Sequence, residues 1–445
     1  MKITVVGAGR IGMHLAKYFV EENQDVFLVD ADRTRLAELE MDYNLRTFCG
    51  NATDFDVLRE AGADRCDVFT AVTGNTAENL VACSVAKSMG ARKTIARVED
   101  AGYLKDDNRA VLSKMGVDHV VFPDFVAASA VCDALEHSWC TSWYEFNNGE
   151  IILIGVRVTD DSPLNGRQLK DLFTESRYFH ISAMRRNHAT LIPRGDDSIL
   201  TGDTLYITTM HQWLDKVKLT TGIKDLGIKK VLIVGGSTVA ELVTKNADDR
   251  FDFVIVEKDM ARCRQLSETC GKCDVICGDA SRFDVLAEAG IVKSQAFVAL
   301  MDNTESNILS CLTARDAGVA RTVAEVEKEQ LIEKAEAFNI DSIINKPVIT
   351  ANSIFQLILD ADYNTSKCFV MNDAEVARLS VKPSSYLTSA PVKDLKLPRD
   401  LTLAGMIRGG RGMLVTGNTM LESGDSVIVF CLKGSLDKVE QLFRK

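Results

Sequence analysis

The sequence contains little proline and no long hydrophobic run. Only 7 of its 445 residues are proline, which leaves little room for disordered linkers, so we expect the chain to be folded nearly throughout. The longest apolar runs, at 151–156 and 231–234, have the length of a strand. A membrane-spanning helix needs about 20 apolar residues. We therefore expect no membrane-spanning segment.

The sequence also lacks an excess of positive charge. Its 52 Lys and Arg residues are outnumbered by 63 Asp and Glu residues, and the formal net charge of −11 would repel a nucleic-acid backbone. The most basic short segment, 184–188 (MetArgArgAsnHis), lies between two strand-like runs and is interpreted as a solvated turn. These features argue against nucleic acid as a partner.

A signal peptide is not expected either. The amino-terminal apolar segment is interrupted by Gly7, Gly9, Arg10 and His14, and a strand, a turn and a helix explain it better. A cytosolic location follows from this interpretation. The 12 cysteines then favour reduced thiols over disulfides.

One group of cysteines invites a metal or redox interpretation. It comprises Cys263, Cys270, Cys273 and Cys277, but the spacing matches no standard zinc pattern. Cys277 also aligns with Cys49 in an internal repeat, where each cysteine precedes a glycine at the end of a strand. We therefore expect no metal here.

The chain contains the same pattern twice. Residues 50–62 and 278–290 are identical at nine of thirteen positions, and the match extends in both directions at a nearly constant offset. In each copy strands alternate with helices, which predicts a parallel sheet with right-handed crossovers. After each copy the sequence becomes rich in strands and Gly-Asp turns, as at 202–203 and 424–425.

The predicted fold is therefore α/β, with two Rossmann-like parallel-sheet domains, each followed by a small α+β domain. The predicted domains are 1–140, 141–228, 229–361 and 362–445.

Two strongly apolar helical stretches, 125–135 and 349–359, lie between a large and a small domain. Helices this apolar must be covered. Two alternatives remain open at this point. Each helix packs on its own domain, or it packs on a neighbouring domain or subunit.

The first repeat begins with a dinucleotide-binding fingerprint. Gly7, Gly9 and Gly12 follow a strand and open a helix, which suits a tight turn, close approach of a pyrophosphate and close helix packing. Asp30 ends the second strand, where a carboxylate accepts hydrogen bonds from a ribose and repels the extra phosphate of NADP. Arg10 adds a cation suited to a polyphosphate. NAD or a plain adenine nucleotide is favoured over a turn that binds nothing.

The second repeat departs from this fingerprint. Gly235 is retained, but Ser237 and Thr238 replace the second glycine and the arginine, and Ala240 replaces the third glycine. Glu257 occupies the position of the carboxylate that is expected to bind a ribose, as Asp30 does in the first repeat. The Cβ of Ser237 lies where the backbone must come close to a pyrophosphate, and it reduces that contact. We therefore expect a weaker or altered site, or a purely structural turn.

No catalytic arrangement is evident. The six histidines show no duplicated placement, and His14 is interpreted as a surface or packing residue. Binding without turnover is favoured. An NAD-dependent oxidoreductase and a scaffold stabilised by its nucleotide are the alternatives.

The whole chain resembles the TrkA family, the cytosolic nucleotide-binding subunits of bacterial Trk potassium-uptake systems, built from two tandem RCK units. The resemblance rests on the loop at 5–12 with Asp30, the segments 51–53, 73–76 and 96–99, and both Gly-Asp strand endings. It implies that each Rossmann-like domain is an RCK-N (KTN) domain and each small domain an RCK-C domain. It also implies a non-enzymatic regulator that gates a membrane potassium-translocating subunit of the TrkH/TrkG type.

The resemblance further implies NAD(H), or ATP and ADP, as ligands, and a homo-oligomer, with a tetramer as the expected state because such rings commonly hold eight RCK units. The protein would be cytoplasmic and peripheral on the inner face of the membrane. The implied binding residues are Gly7, Ala8, Gly9, Arg10, Ile11 and Gly12 for the phosphates, Asp30 for the ribose, Asn51, Ala52 and Thr53 for the adenine, Thr73, Asn75 and Arg97 for the phosphate or nicotinamide end, and, in the second repeat, Gly235, Glu257, Asp279 and Ala280.

Overall fold

The structure is a computed structural model that describes residues 1–21, 24–43, 45–147, 149–172, 178–187, 189–359, 365–371 and 374–444. The predicted domain boundary between 361 and 362, and His188 of the basic segment, lie outside these residues. The chain divides into two compact units. One combines Met1–Cys132 with Lys229–Ile358, and the other combines Asp133–Ile228 with Leu359–Lys445.

The first repeat forms a Rossmann-like layer of strands and helices. Its elements are β1 (Lys2–Val6), α1 (Arg10–Glu21), β2 (Asp25–Asp30), α2 (Arg33–Asp42), β3 (Arg46–Cys49), α3 (Phe55–Glu60), β4 (Val68–Ala71), α4 (Thr76–Met89), β5 (Lys93–Arg97), α5 (Asp106–Lys114), β6 (His119–Val121) and α6 (Pro123–Glu136). The strands are parallel, in the order β3-β2-β1-β4-β5-β6. The strand order reverses between β1 and β4, where open α/β sheets bind their ligands.

A small antiparallel domain follows. It consists of β7 (Ser142–Phe146), β8 (Ile151–Arg157), β9 (Phe179–Arg186), β10 (Ala189–Leu191), β11 (Thr204–Thr209) and α7 (Leu214–Thr221), with the sheet order β10-β9-β11-β8-β7.

The second repeat reproduces the first. Its elements are β12 (Lys230–Val234), α8 (Thr238–Asn246), β13 (Asp252–Glu257), α9 (Met260–Thr269), β14 (Cys273–Cys277), α10 (Phe283–Glu288), β15 (Ala296–Ala299), α11 (Thr304–Asp316), β16 (Arg321–Glu325), α12 (Glu329–Ala337), β17 (Ser342–Ile344) and α13 (Lys346–Leu359). The sheet order β14-β13-β12-β15-β16-β17 matches that of the first repeat.

The second small domain closes the chain. It comprises β18 (Thr365–Met371), β19 (Ala374–Ser380), β20 (Leu401–Arg408), β21 (Arg411–Leu414), β22 (Ser426–Leu432) and α14 (Leu436–Arg444), with the order β18-β19-β22-β20-β21. The predicted α/β fold with two Rossmann-like domains and two small domains is confirmed.

Local sequence explains the elements around the candidate site. The central strands β1 and β4 are apolar on both faces and buried over nearly their whole length, as parallel strands covered by helices require. Asp32, Asp54 and Asn75 cap helices α2, α3 and α4, each accepting a hydrogen bond from a backbone N–H in the first turn.

The long helices α6 and α13 each pack on the Rossmann-like domain of the other repeat. The ring of Phe355 on α13 lies 4.5 Å from the ring of Tyr18 and 5.8 Å from that of Phe19, both on α1. On α6, the Cys132 thiol lies 4.0 Å from the backbone carbonyl of Val243 on α8. Of the two alternatives left open by the sequence, packing on a neighbouring domain is confirmed.

The two small domains share a core of their own. Its buried side chains are Phe146, Ile151, Leu153, Ala183, Ile192, Tyr206, Ala374, Val376, Ile407, Ile428 and Phe430, drawn from both sheets. Tyr206 and Phe430 stack with ring centroids 6.1 Å apart. The second unit is therefore held together by packing between the sheets of the two small domains.

The Gly-Asp turns of the small domains hold buried ion pairs. Asp203 is almost fully buried and accepts hydrogen bonds from Arg186 Nε at 2.8 Å and Nη2 at 2.6 Å. Asp425 accepts the same pair from Arg408, at 2.7 and 2.6 Å. Burial alone would raise the pKa of Asp425, but Arg408 and the hydrogen bond from the backbone N–H of Glu422 together outweigh burial and lower it.

This arrangement corrects the interpretation of the basic segment 184–188. Met184 is buried and Arg186 ends β9, so the segment begins as a strand and not as a solvated turn. Among the described residues 184–187, only Asn187, with a φ of 50°, has the left-handed conformation of a turn. The interpretation was wrong because the buried carboxylate that neutralises Arg186 is that of Asp203, in the Gly-Asp turn before β11, on another part of the chain.

Candidate functional site

The first glycine loop lies at the carboxyl end of β1. Gly7 has a φ of +101°, and a Cβ there would lie 2.9 Å from the backbone nitrogen of Thr73. A Cβ at Gly12 would lie 1.8 Å from the carbonyl oxygen of Gly7. A Cβ at Gly9 would meet no described atom within 4 Å, so space lies open over the middle of the loop. The loop thus leaves open the space where the glycine pattern predicts a phosphate.

Asp30 is fixed beside this loop by the backbone. Its carboxylate accepts hydrogen bonds from the N–H of Ala8 at 2.5 Å and from the N–H of Asp32 at 2.8 Å. Each oxygen keeps a further lone pair for a ribose hydroxyl. Ile11 and Gly12 are buried and anchor the start of α1.

The loop after β3 forms a compact turn. Asn51 Oδ1 accepts hydrogen bonds from the backbone N–H of Thr53 at 2.8 Å and from its hydroxyl at 2.7 Å. Ala52 between them is buried. The predicted adenine-facing residues are thus held in one rigid turn at the same edge of the sheet as Asp30.

Buried Asn79 organises the loop after β4. Its Oδ1 accepts a hydrogen bond from the backbone N–H of Thr73 at 2.9 Å, and its amide donates to the carbonyls of Thr73 at 3.1 Å and Arg97 at 2.9 Å. Asn75 caps α4 beside it. Asn307 makes the corresponding bonds to Met301 and Glu325 in the second repeat. Both asparagines stand out as duplicated positions in the sequence, but their positioning role is visible only in the structure.

A cavity of about 570 Å³ lies between the two Rossmann-like domains of the first unit. Arg10, Ile11 and Arg97 line it from the predicted site. The other lining residues are Glu99, Phe122, Pro123, Asp124, Thr238, Glu327, Lys346 and Pro347. The structure thus brings part of the first site into contact with the second repeat, which sequence reasoning missed.

Ion pairs cross this cavity. Arg10 of the first repeat pairs with Glu327 of the second. The ammonium of Lys346 lies 3.2 Å from Asp124 Oδ1, 3.2 Å from Glu325 Oε1 and 3.7 Å from Glu327 Oε1. Arg97 pairs with Glu99 at 3.0 Å, while its Nε is buried without a hydrogen-bond partner among the described residues.

The pKa values of two groups reflect this cluster. Burial raises the pKa of Glu325, although the attraction of Lys346 partly offsets it. Burial would lower the pKa of Lys346, but the carboxylates of Glu325 and Asp124 outweigh burial and raise it. The ammonium of Lys346 is therefore held firmly in its charged form.

The second glycine loop is occupied by side chains of its own domain. Glu257 accepts hydrogen bonds from the N–H of Gly236 at 2.6 Å and of Asp259 at 2.8 Å, as Asp30 does in the first repeat. Arg262 Nε donates to the carbonyl of Gly236 at 2.6 Å, and its Nη2 lies 2.9 Å from Glu241 Oε2. Glu241 stands in the first turn of α8, where a phosphate would lie.

The remaining predicted residues of the second repeat form a turn like that of the first. Gly235 has a φ of +93°, and a Cβ there would lie 2.7 Å from the backbone of Leu300. Asp279 Oδ1 accepts from the N–H of Ser281 at 2.9 Å, a bond that lowers the pKa of Asp279, and Ala280 is buried. The backbone frame of a nucleotide site is retained, but its phosphate end carries Arg262 and Glu241.

Two further features of the described residues bear on function. Within the described ranges, no group of three or more His, Cys, Asp or Glu side chains is placed to hold a metal ion. Among the helices of those ranges, none has both the length and the apolar content needed to cross a bilayer.

Comparison with known proteins identifies the family. The model of the TrkA-N domain matches residues 3–123 and 231–346, and that of the TrkA-C domain matches 153–218 and 376–444. The chain belongs to the TrkA family. Its two repeats are thus two TrkA-N domains, each followed by a TrkA-C domain, which confirms the resemblance seen in the sequence.

Relatives in this family match along their whole length. A protein of Archaeoglobus fulgidus named Trk system potassium uptake protein TrkA homolog is 29% identical over 447 residues, covering 100% of both chains. A protein of Azorhizobium caulinodans named Trk system potassium uptake protein TrkA is 28% identical over 457 residues, covering 100% of this chain and 99% of the relative.

Solved structures share the fold. The GsuK RCK domain has a TM-score of 0.62 at 15% identity, covering 100% of this chain and 95% of that one. The GsuK channel bound to NAD has a TM-score of 0.63 at 16% identity, covering 99% of this chain and 78% of that one. At these identities the likeness establishes the RCK architecture and nothing finer.

Proposed function

We propose that this chain is a regulatory subunit that binds NAD(H), or ATP and ADP, at its first TrkA-N domain. The observation that carries the proposal is the open first glycine loop, with Asp30 held at its edge and Arg10 at its helix. The buried, unpaired Nε of Arg97 in the adjoining cavity supports it, because a buried donor without an acceptor is costly and a ligand acceptor would satisfy it.

The site binds without chemistry. Among the described residues, charged side chains that line the cavity form ion pairs with one another, an arrangement that suits ligand binding. We propose that the bound nucleotide acts by stabilising one arrangement of the domains over another. Steady oxidation of NADH by a small metabolite would contradict this.

The partner in this proposal is a membrane-embedded potassium channel or transporter of the TrkH/TrkG type. The names of the full-length relatives, which refer to Trk potassium uptake, support this assignment. The chain would act in a ring of RCK units, with two units per chain and a tetramer as the expected assembly, on the cytoplasmic face of the membrane. Potassium flux through the reconstituted partner, with and without nucleotide, tests this part.

The second TrkA-N domain is proposed to bind nucleotide weakly or not at all. Arg262 and Glu241 together neutralise its loop, and a carboxylate in the first turn of α8 would repel a phosphate.

Calorimetric titration with NADH, NAD, ATP, ADP and NADP tests the site directly. We expect about one nucleotide per chain, tighter binding of NAD than of NADP, and loss of binding in Asp30→Ala. The matched control is Glu257→Ala, which removes the corresponding carboxylate of the second repeat and should leave binding intact. Two equal sites per chain, or equal losses in the two variants, would refute the assignment.

A further inference from the structure

The cation of the first loop already has an anionic partner, and that partner belongs to the other Rossmann-like domain. Arg10 begins α1, and 60% of its side chain is exposed, yet its guanidinium pairs with Glu327 across the cavity. A carboxylate and a phosphate offer a guanidinium the same bidentate contact. Glu327 therefore makes the kind of contact with Arg10 that a phosphate would make.

Glu327 is held in place by its own domain. It follows β16, and its carbonyl accepts a hydrogen bond from Asn345 at 3.4 Å. Its side chain is 25% exposed, so it keeps access to the cavity. The carboxylate also lies 3.7 Å from Lys346, which would keep a cation beside it if Arg10 left.

The charges of the cluster would change if Arg10 turned to a phosphate. Arg10 and Lys346 face the carboxylates of Asp124, Glu325 and Glu327, so that two cations offset part of the charge of three acids. With Arg10 withdrawn, Lys346 alone would face three acids. Repulsion among those acids then weakens the contact between the two domains.

We propose that Glu327 competes with nucleotide phosphate for Arg10, so that the second TrkA-N domain responds to occupancy of the first. This rests on the proposed nucleotide binding at the first loop. Because binding must break the Arg10–Glu327 pair, that pair lowers the apparent affinity for nucleotide, and nucleotide in turn loosens the pairing of the domains.

The test is calorimetry with ATP on wild type, Glu327→Gln and Glu329→Gln. Glu327→Gln removes the competitor and should tighten ATP binding by roughly fivefold or more. Glu329→Gln is the matched control, because it removes one carboxylate of the same domain that also faces α1, through His14, but does not contact Arg10. We expect it to change the affinity by less than about twofold.

A double variant separates the specific contact from a general change of charge. In the Arg10→Ala background the Glu327→Gln substitution should no longer alter ATP affinity, because the guanidinium for which Glu327 and the phosphate compete is absent. Equal tightening by Glu327→Gln and Glu329→Gln, or tightening that persists in the Arg10→Ala background, would overturn the proposal. If wild type itself binds no nucleotide, the proposed function fails, and this inference fails with it.

Hydrogen exchange gives a second readout that does not depend on affinity. In wild type, ATP should increase amide exchange at 326–329. In Glu327→Gln that exchange should already be high without ATP. Thermal melting of both variants checks that they are folded. No change in exchange on ATP binding to wild type would contradict the loosening of the domains.

Discussion

The guanidinium of Arg10 lies at the open side of the first glycine loop. Its contribution to the binding affinity of a nucleotide therefore depends on whether the phosphate chain is long enough to reach it. Removing a hydrogen bond to a charged group costs about 1.5–3 kcal/mol. We expect Arg10→Ala to weaken ATP binding by roughly tenfold or more and ADP binding by less. Calorimetry measures both. Equal weakening of the two nucleotides would refute this role of Arg10.

A neighbouring residue on the same helix has a role that depends on pH. His14 Nε2 lies 3.1 Å from Glu329 Oε1. Burial lowers the pKa of His14 below its usual 6.5, Glu329 partly offsets this, and Lys17 lowers it further. The sequence alone placed His14 on the surface or in packing, because Glu329 lies more than 300 residues away along the chain.

The sign of the pH effect follows from that lowered pKa. The unfolded chain binds the proton of His14 more readily than the folded chain, so this residue contributes a loss of stability as the pH falls below about 6.5. We expect His14→Asn to lose less stability than wild type between about pH 7.5 and 5.5. Thermal melting across this range measures the difference, and identical slopes for the two proteins would contradict it.

At the scale of secondary-structure elements, one buried ion pair ties strands together in each small domain. Asp203 bridges the Gly-Asp turn before β11 to Arg186 at the end of β9, and its Oδ2 also accepts from the N–H of Leu200 at 2.8 Å. Its loss removes the carboxylate partner of the half-buried Arg186 guanidinium, which keeps only the Ser198 carbonyl among the acceptors described, and also the acceptor of the Leu200 N–H.

We expect Asp203→Ala to lower the free energy of unfolding by about 1.5–3 kcal/mol, and Asp425→Ala to cost a similar amount in the second small domain. The control is Asp196→Ala, whose 90% exposed carboxylate pairs with Lys170 on the surface and should contribute less than about 1 kcal/mol. Denaturant titration gives the values. A cost for Asp203→Ala no larger than the control would show that the buried pair is not needed.

At the scale of the whole molecule, the two TrkA-N domains are held together because the long helix of each repeat packs on the TrkA-N domain of the other. Phe355 is 6% exposed, although it belongs to the second repeat and packs on Tyr18 and Phe19 of the first. Its burial therefore stabilises the contact between the two TrkA-N domains more than either domain alone.

Truncating this ring should loosen that contact. We expect Phe355→Ala to cost about 3–5 kcal/mol, the range for a buried phenylalanine, and to increase hydrogen exchange on α1 as well as on α13. Phe338→Ala, at a ring 48% exposed, is the control and should cost far less. If exchange rises on α13 alone, α13 does not support the first domain in this way.

The repeats, the buried strands, the glycine turns and the carboxylate at Asp30 could all be read from the sequence. These features arise from residues near one another in the chain. Gly12, for example, is required because a Cβ there would collide with the carbonyl oxygen of Gly7 in the same turn. The apolar runs likewise predict parallel strands, because such strands are buried on both faces wherever they occur.

Which charges meet was decided only by the tertiary structure. Arg10 with Glu327, Lys346 with Asp124, and Arg186 with Asp203 join residues that no local pattern connects. An arginine in a loop has the same local sequence signal whether a phosphate, a carboxylate or water lies opposite. For Arg10 and Lys346 the partner is decided when α6 and α13 pack across the two domains, and for Arg186 when β9 and β11 pair, since such packing sets the distances over which the charges act.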